Sequence, residues 1–252
     1  MHIETIITCV GYADFLAITL PETKRWFKAI TVLTSPDDSE TIAFAKHEGV
    51  ELYITGVWHE NGATFNKAAA INSFLDQRNL DGTDSWVLFL DADILLLSNP
   101  HPDIANLNPK GLYSIKRRMC ETEQEWRKLC AGQLCVDDLP LYVPEVVNGK
   151  VWKHRPTNNS AALCGYFQLW HITNAIGMKR MPPSSNASSY DVLFAFSFPE
   201  ALRLFIEGRE VLHLGPRKTN WDGRVSPRWN ICYNSSQGFT KNREGNNALN
   251  NM

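Results

Sequence analysis

Apolar residues along the first hundred positions gather in short runs separated by longer stretches with helical spacing. Glu4–Val10, Ala29–Leu33 and Val50–Ile54 read as strands, and Trp86-Val87-Leu88-Phe89-Leu90 is an unbroken buried strand. Between them, residues 14–28 place Phe15, Leu16, Leu20 and Phe27 on one helical face, with Pro21 predicting a kink or two short helices. Residues 35–48 predict a helix capped by Ser35, with Pro36 at its first position and acids in its first turn. Residues 64–77 predict another, with Phe65, Ala69, Ile71 and Phe74 inward. Strands alternating with helices of this length indicate βαβ units, so the expected fold class is α/β, a Rossmann-like, mostly parallel sheet with helices on both faces.

The alternation stops at Ser98-Asn99-Pro100-His101-Pro102-Asp103, which divides a Rossmann-like half (1–97) from a loop-rich second part (98–234). There, Gly111–Arg117, Gly165–His171 and Glu210–Leu214 read as strands, and Glu121–Cys130, Tyr190–Phe196 and Pro199–Glu207 as helices. Residues 137–159 read as a loop-rich stretch with few elements. The last stretch, 235–252, rich in Asn, Ser and Gly, reads as a mobile tail.

The composition, 44% apolar and 11% aromatic, is that of a folded domain and excludes a disordered chain. No segment approaches the roughly eighteen uninterrupted apolar residues of a membrane span, and the amino terminus opens on a strand instead of a leader. The expectation is a soluble, cytoplasmic protein without a membrane partner, in the host cytoplasm if the chain is viral. Six cysteines are then expected as free thiols. A zinc ion on Cys120, Cys130 and Cys135 is an alternative that the absence of a C-x-x-C pair weakens. The net charge of −2 conceals an asymmetry. Residues 1–100 carry six Lys/Arg against fourteen Asp/Glu, whereas residues 101–252 carry nineteen against thirteen. A basic second part attracts phosphates whatever the total charge.

The chemistry begins where the strongest strand ends. In Leu90-Asp91-Ala92-Asp93-Ile94 two carboxylates interrupt an apolar run, and buried carboxylates need a cation or strong donors. An Asp-x-Asp at the carboxyl end of a parallel strand suits a hard divalent cation shared with substrate phosphates. Two acids that merely cap the next turn are the simpler alternative.

The strand order, this Asp-x-Asp, Thr8-Cys9-Val10 followed by Tyr12, and Phe65-Asn66-Lys67 resemble the nucleotide-sugar domain of GT-A glycosyltransferases, of the family-two-like or galactosyltransferase-like kind. Gly165-Tyr166-Phe167-Gln168-Leu169, Ser189-Tyr190-Asp191-Val192 and Val211-Leu212-His213-Leu214-Gly215 extend the resemblance, which covers about residues 4–97 and 160–225. It implies a metal-dependent enzyme that moves a sugar from a nucleotide-diphosphate sugar, UDP favoured, to a hydroxyl acceptor. Asp91, Asp93 and His213 would hold Mn²⁺ or Mg²⁺; a lone His between two leucines is otherwise a core residue. Thr8, Cys9, Val10 and Tyr12 would meet the ribose and base, Tyr12 by stacking or by plain packing. Ser35 and Asp37 would bond the base, Asp91 and Ala92 would lie by the ribose and metal, and Lys67 would contact phosphate if it is not a solvated surface lysine. Gly165, Tyr166, Phe167 and Gln168 would line the sugar pocket. Asp191 would be the general base of an inverting transfer, or only a cap residue.

For the acceptor, Lys116-Arg117-Arg118, Lys150–Arg155, Lys179-Arg180, Arg217-Lys218, Arg224 and Arg228, with Trp152, Trp221 and Trp229 between them, suit an anionic hydroxyl compound. Hydroxymethylated pyrimidine in DNA is one such acceptor, and soluble bacteriophage enzymes of DNA modification are of this type; a solvated basic face is the plainer alternative. Two rival functions are a nucleotidyltransferase and a non-catalytic carbohydrate or nucleic-acid binding module. Against the first, the turn Cys9-Val10-Gly11-Tyr12-Ala13-Asp14 has no Lys or Arg.

Overall fold

The structure is a computed structural model that describes residues 1–80, 82–142, 165–177, 179–187, 190–216 and 220–230, and the backbone of 144–147 and 151–154. The tail 235–252, Ser189, the basic side chains of 150–155, and Arg217-Lys218 lie outside the described residues.

The first half follows the pattern of its sequence: β1 (His2–Thr8), α1 (Ala13–Trp26), β2 (Ala29–Thr34), α2 (Ser39–Glu48), β3 (Glu51–Ile54), α3 (Lys67–Arg78) and β4 (Ser85–Asp91). Pro21 neither ends α1 nor splits it. The start of α2 falls later than expected, because the Asp38 side chain accepts the Thr41 N–H at 3.1 Å and so caps the helix. Ser35 serves the turn before it, accepting the Asp37 N–H at 3.4 Å. Likewise Asn66 caps α3 by accepting the Ala69 N–H at 2.9 Å, which sets Lys67 in its first turn.

The Asp-x-Asp run splits in two. β4 stops at Asp91, and Ile94–Leu96 forms a separate strand, β5, on the far edge of the sheet. After α4 (His101–Ile104) come β6 (Leu112–Cys120), α5 (Glu123–Cys130), β7 (Leu141–Tyr142), β8 (Pro144–Val147), β9 (Val151–His154), β10 (Phe167–His171), α6 (Tyr190–Phe196) and β11 (Arg203–Leu214). The helix expected over Pro199–Glu207 is absent. Glu200–Leu202 makes one 3-10 turn, and the chain then extends because Arg203, Leu204 and Phe205 pair in parallel with Leu112, Tyr113 and Ser114. Burial of Phe205 and Ile206 on opposite faces of β11 overrides the local helical spacing.

The main sheet runs β3-β2-β1-β4-β10-β6-β11-β5, with β7 added to β6. Strands β1 to β4 are parallel, β10 is antiparallel to β4 and β6, and β11 is again parallel to β6. Because β10 lies between β4 and β6, both parts of the chain share one mixed, mostly parallel sheet. Apolar clusters cover both faces: Trp58, Phe65, Ile71, Phe74 and Trp170 belong to one, and Leu16, Leu20, Val32, Leu88 and Leu90 to another. The residues Trp86–Leu90 at the sheet centre are each 6% exposed or less. At roughly 1.5–3 kcal/mol for each fully buried large apolar side chain, this one strand contributes on the order of 10 kcal/mol to the drive to fold. Among the described residues no helix is long and apolar enough to cross a membrane.

Candidate functional site

The carboxyl ends of β1, β4 and β6 and the start of β10 open into a cleft of about 420 Å³, within the range of small-ligand sites. Thr8, Val10 and Tyr12 form the wall after β1, and Phe65 and Lys67 the wall at the start of α3. Asp91, Ala92 and Asp93 form its floor. The far side comes from Arg117, Tyr142, Gly165, Tyr166, Tyr190 and Asp191, with His213, Asn220 and Trp221 from the end of the chain.

The turn carrying the two aspartates is pinned from both sides. The Asp91 N–H donates to the Tyr166 carbonyl (3.2 Å), the Leu214 N–H donates to the Asp93 carbonyl (2.9 Å), and the Thr19 hydroxyl donates to the Ala92 carbonyl (2.7 Å). Asp91 forms an ion pair with Lys67, whose ammonium also lies 5.4 Å from the centre of the Phe89 ring. Burial and the neighbouring Asp93 charge push the Asp91 carboxyl up, and Lys67 pulls it down. Thr8 donates to the same carboxylate at 3.4 Å.

Asp93 approaches His213, Nε2 to Oδ2 3.7 Å, because β11 pairs His213 with Ile94. Its other oxygen, Oδ1, is buried and has no hydrogen-bond partner. Burial pushes the Asp93 carboxyl up to about 6, while Lys67 and Arg117 pull it down. Among the described residues no three His, Cys, Asp or Glu groups gather closely enough to hold a metal by themselves. The Asp93 and His213 pair nevertheless fits part of a divalent site, since an unsatisfied carboxylate oxygen and an imidazole face one cleft; phosphate oxygens and water would have to complete it. Asp91, expected to join them, has its carboxylate engaged by Lys67. Cys120, Cys130 and Cys135 are free thiols.

Asp191 is held by backbone: Oδ2 accepts the Gly165 N–H at 2.6 Å and Oδ1 the Val192 N–H at 2.8 Å. Burial pushes its carboxyl up to about 6 against the pull of those two donors. Gly165 has a reason different from the expected one. A Cβ there would sit 2.5 Å from Asp191 Cβ, so the glycine lets the start of α6 approach while itself lining the cleft. Gln168 is fully buried, and its Nε2 donates to the Asp191 carbonyl at 2.9 Å, tying β10 to the start of α6. Phe167 is fully buried too, so both residues support the cleft wall from behind.

Three other expected donor contacts fall outside the cleft lining. Cys9 is buried against the Thr41 hydroxyl (3.2 Å), and burial pushes its thiol up to about 12. Ser35 and Asp37 belong to the turn before α2, where Asp38 is the organising residue, accepting the Gly11 N–H at 2.6 Å. Tyr12 does face the cleft, beside Arg224, whose guanidinium lies 4.8 Å from its ring centre. Burial and the Asp93 and Asp91 charges push its phenol up, so it stays neutral.

Tyr142 and Asn220 had no motif to announce them. For Arg117 a signal did exist: in a strand, the middle residue of Lys116-Arg117-Arg118 must face away from its neighbours.

No protein-family model matches the chain, and no curated protein matches it by sequence. Solved structures match by fold. S. aureus TarS is 11% identical with a TM-score of 0.50 over 85% of this chain and 36% of that one. A mannosyltransferase from Pyrobaculum calidifontis, in complex with GDP-Man and Mn²⁺, is 12% identical with a TM-score of 0.48 over 86% of this chain and 58% of that one. Glucosyl-3-phosphoglycerate synthase from Mycobacterium tuberculosis, in complex with Mn²⁺, UDP-glucose and glycerol 3-phosphate, is 14% identical with a TM-score of 0.46 over 90% and 73%. The chain thus spans little more than half of the mannosyltransferase and about a third of TarS. Its α/β architecture is the Rossmann-like fold of GT-A glycosyltransferase structures.

Proposed function

We propose that the cleft binds a nucleoside-diphosphate sugar and transfers the sugar to a hydroxyl acceptor. The observation that carries this reading is the convergence of Asp91, Asp93 and Asp191 with Lys67 and His213 at the carboxyl ends of the central parallel strands. Ligands of open α/β sheets bind at that end.

In this reading Thr8, Val10 and Tyr12 receive the nucleoside, with Tyr12 presenting a neutral ring to the base. Lys67 exchanges Asp91 for a phosphate oxygen, which places its charge on the diphosphate and frees Asp91 toward the ribose. Asp93 and His213 would hold a divalent cation, Mn²⁺ or Mg²⁺. Bound there, such a cation would act as a Lewis acid on the departing diphosphate. Asp191 accepts the proton of the acceptor hydroxyl as its oxygen attacks the anomeric carbon, a single displacement that inverts configuration. A carboxyl poised near 6 is ionised at neutral pH yet basic enough for that task.

A DNA acceptor finds little support in the second part of the chain. Lys116, Arg118, Arg180, Arg209, Arg224 and Arg228 each pair with a carboxylate, so these cations among the described residues are engaged within the protein. Polyanion binding needs cations that are free to replace counterions.

The test is release of nucleoside diphosphate from a panel of UDP- and GDP-sugars with Mn²⁺ or Mg²⁺. Turnover is expected for at least one donor, and Asp93→Ala and Asp191→Asn should each abolish transfer, the latter with nucleotide binding intact by calorimetry. Equal turnover in both variants would sink the assignment.

A further inference from the structure

We infer that Arg117 binds an anionic substituent, a phosphate or carboxylate, carried by the acceptor. This rests on the reading of the cleft as a sugar-transfer site. Three consecutive basic residues in β6 have different fates. Lys116 pairs with Glu207 (3.2 Å) and Arg118 with Glu210 (2.6 Å), both on β11. Side chains alternate along a strand, so Arg117 faces the other way, into the cleft. Its guanidinium carbon lies 4.5 Å from the centre of the Tyr142 ring and 4.3 Å from that of Tyr166. The Tyr166 ring is itself fixed, its hydroxyl donating to the Ile115 carbonyl at 2.6 Å.

Between these rings Arg117 makes no ion pair or hydrogen bond with a described residue, and its Nε is buried without a partner. An arginine held flat by aromatic contact, its charge felt by Asp93 but not spent in a direct ion pair, is preorganised for a planar or tetrahedral oxyanion. The cleft also requires such a group. Three carboxylates face it, and Lys67 is the cation already committed to one of them. An acceptor with a negative charge would be repelled unless a second, unspent cation met it.

Position separates Arg117 from the nucleoside wall of the cleft, although its charge reaches Asp93. It stands on β6, two strands from Asp91 on β4 and three from Thr8 on β1, roughly 10 and 14 Å across the sheet at the usual strand spacing. Lys67 serves the β1 and β4 side. Arg117 lies on the Tyr166 side, and Tyr166 adjoins Gly165, whose N–H holds the Asp191 carboxylate. An acceptor with its anion on Arg117 therefore has its hydroxyl within reach of the proposed base.

Calorimetric titration of the full chain, saturated with UDP or GDP and Mn²⁺, tests this with glucose 6-phosphate, glucuronate and glucose as probes. The charged probes should bind at least about tenfold more tightly than glucose, the scale of one charge-assisted hydrogen bond. Arg117→Gln should erase that preference with a clearly smaller change in nucleotide affinity, and Arg117→Lys should keep part of it. Thermal unfolding and circular dichroism confirm that the variants fold. Equal binding of all three probes by the wild type overturns the inference alone. So does a loss of nucleotide affinity in Arg117→Gln as large as the loss for the charged probes, which would assign Arg117 to the donor diphosphate. Absence of any UDP or GDP binding by the wild type would remove the transferase reading and this inference with it.

Discussion

The Gly165 N–H donates to the Asp191 carboxylate at 2.6 Å, and no side chain fits between them, since a Cβ on residue 165 would come within 2.5 Å of Asp191 Cβ. Two segments separated by 26 positions thus meet backbone to side chain at the cleft wall. Gly165→Ala must push α6 away from β10 and break the donor that steadies Asp191. We expect a destabilisation of about 1–3 kcal/mol, the usual cost of overpacking, and a loss of transfer larger than that stability change accounts for. Urea unfolding together with transfer rates under folding conditions measures both; unchanged rates would detach Gly165 from the site.

Asp191 links the site to pH. Its carboxyl, pushed by burial from an ordinary 3.8 up to about 6, holds a proton in the folded state across a range where the unfolded chain has released it. Its contribution to stability is therefore fully present below 3.8 and is lost as pH rises through about 6. Asp191→Asn should flatten part of that decline in unfolding free energy between these limits. The remainder belongs to Asp93, which is also pushed up to about 6, and to Asp91, which is raised as well. Transfer should change in the opposite sense, rising as pH passes 6 because the base must be ionised. A stability profile of the same slope in wild type and variant would refute the assignment.

Removal of Lys67 exposes the cost of two close acids. In Lys67→Met the Asp91 carboxylate would lose its ion pair with Asp93 still beside it, and we expect a loss of roughly 3 kcal/mol at pH 7. Adding Asp91→Asn should restore most of that stability, because the uncompensated charge is gone. The double-mutant cycle by chemical denaturation checks this, and simple additivity would show that the pair is uncoupled.

The segment 220–230 is strapped to α1 through Arg224 and Asp14. Arg224 pairs with both oxygens of Asp14 and donates to the Gly11 carbonyl at 2.9 Å, while Trp229 packs edge-on against Phe15 with centroids 4.8 Å apart. The Asp14 carboxyl is held below its ordinary value, burial being outweighed by Arg224 and the Trp229 N–H. Arg224→Ala should release the strap, raising protease cleavage within 220–230 several-fold and weakening nucleotide binding through Tyr12, the ring under Arg224. Limited proteolysis with mass spectrometry reads the first effect and calorimetry the second; a cleavage rate equal to wild type would rule the strap out.

What the sequence determined by itself was the first half. Hydrophobic period distinguishes strands from helices there, since β1, β2 and β4 are short and buried on both faces and β3 is a short half-exposed edge, and their parallel pairing follows from the helices between them. It also marked Asp91 and Asp93, because charges inside an apolar run stand out whatever the fold. Local signals failed where long-range pairing decided. The run after Asp93 looked continuous with β4 but crosses to the edge strand β5, and residues 203–207 looked helical but extend beside β6. Cleft membership was likewise settled in three dimensions. Strand alternation turns Gln168 inward to the Asp191 carbonyl and Arg117 outward between two tyrosines, and the pairing of His213 with Ile94 brings an imidazole 120 positions away in the chain to Asp93. Contacts across such separations leave no periodic trace in a sequence, because the free energy that fixes them comes from burial of the sheet as a whole.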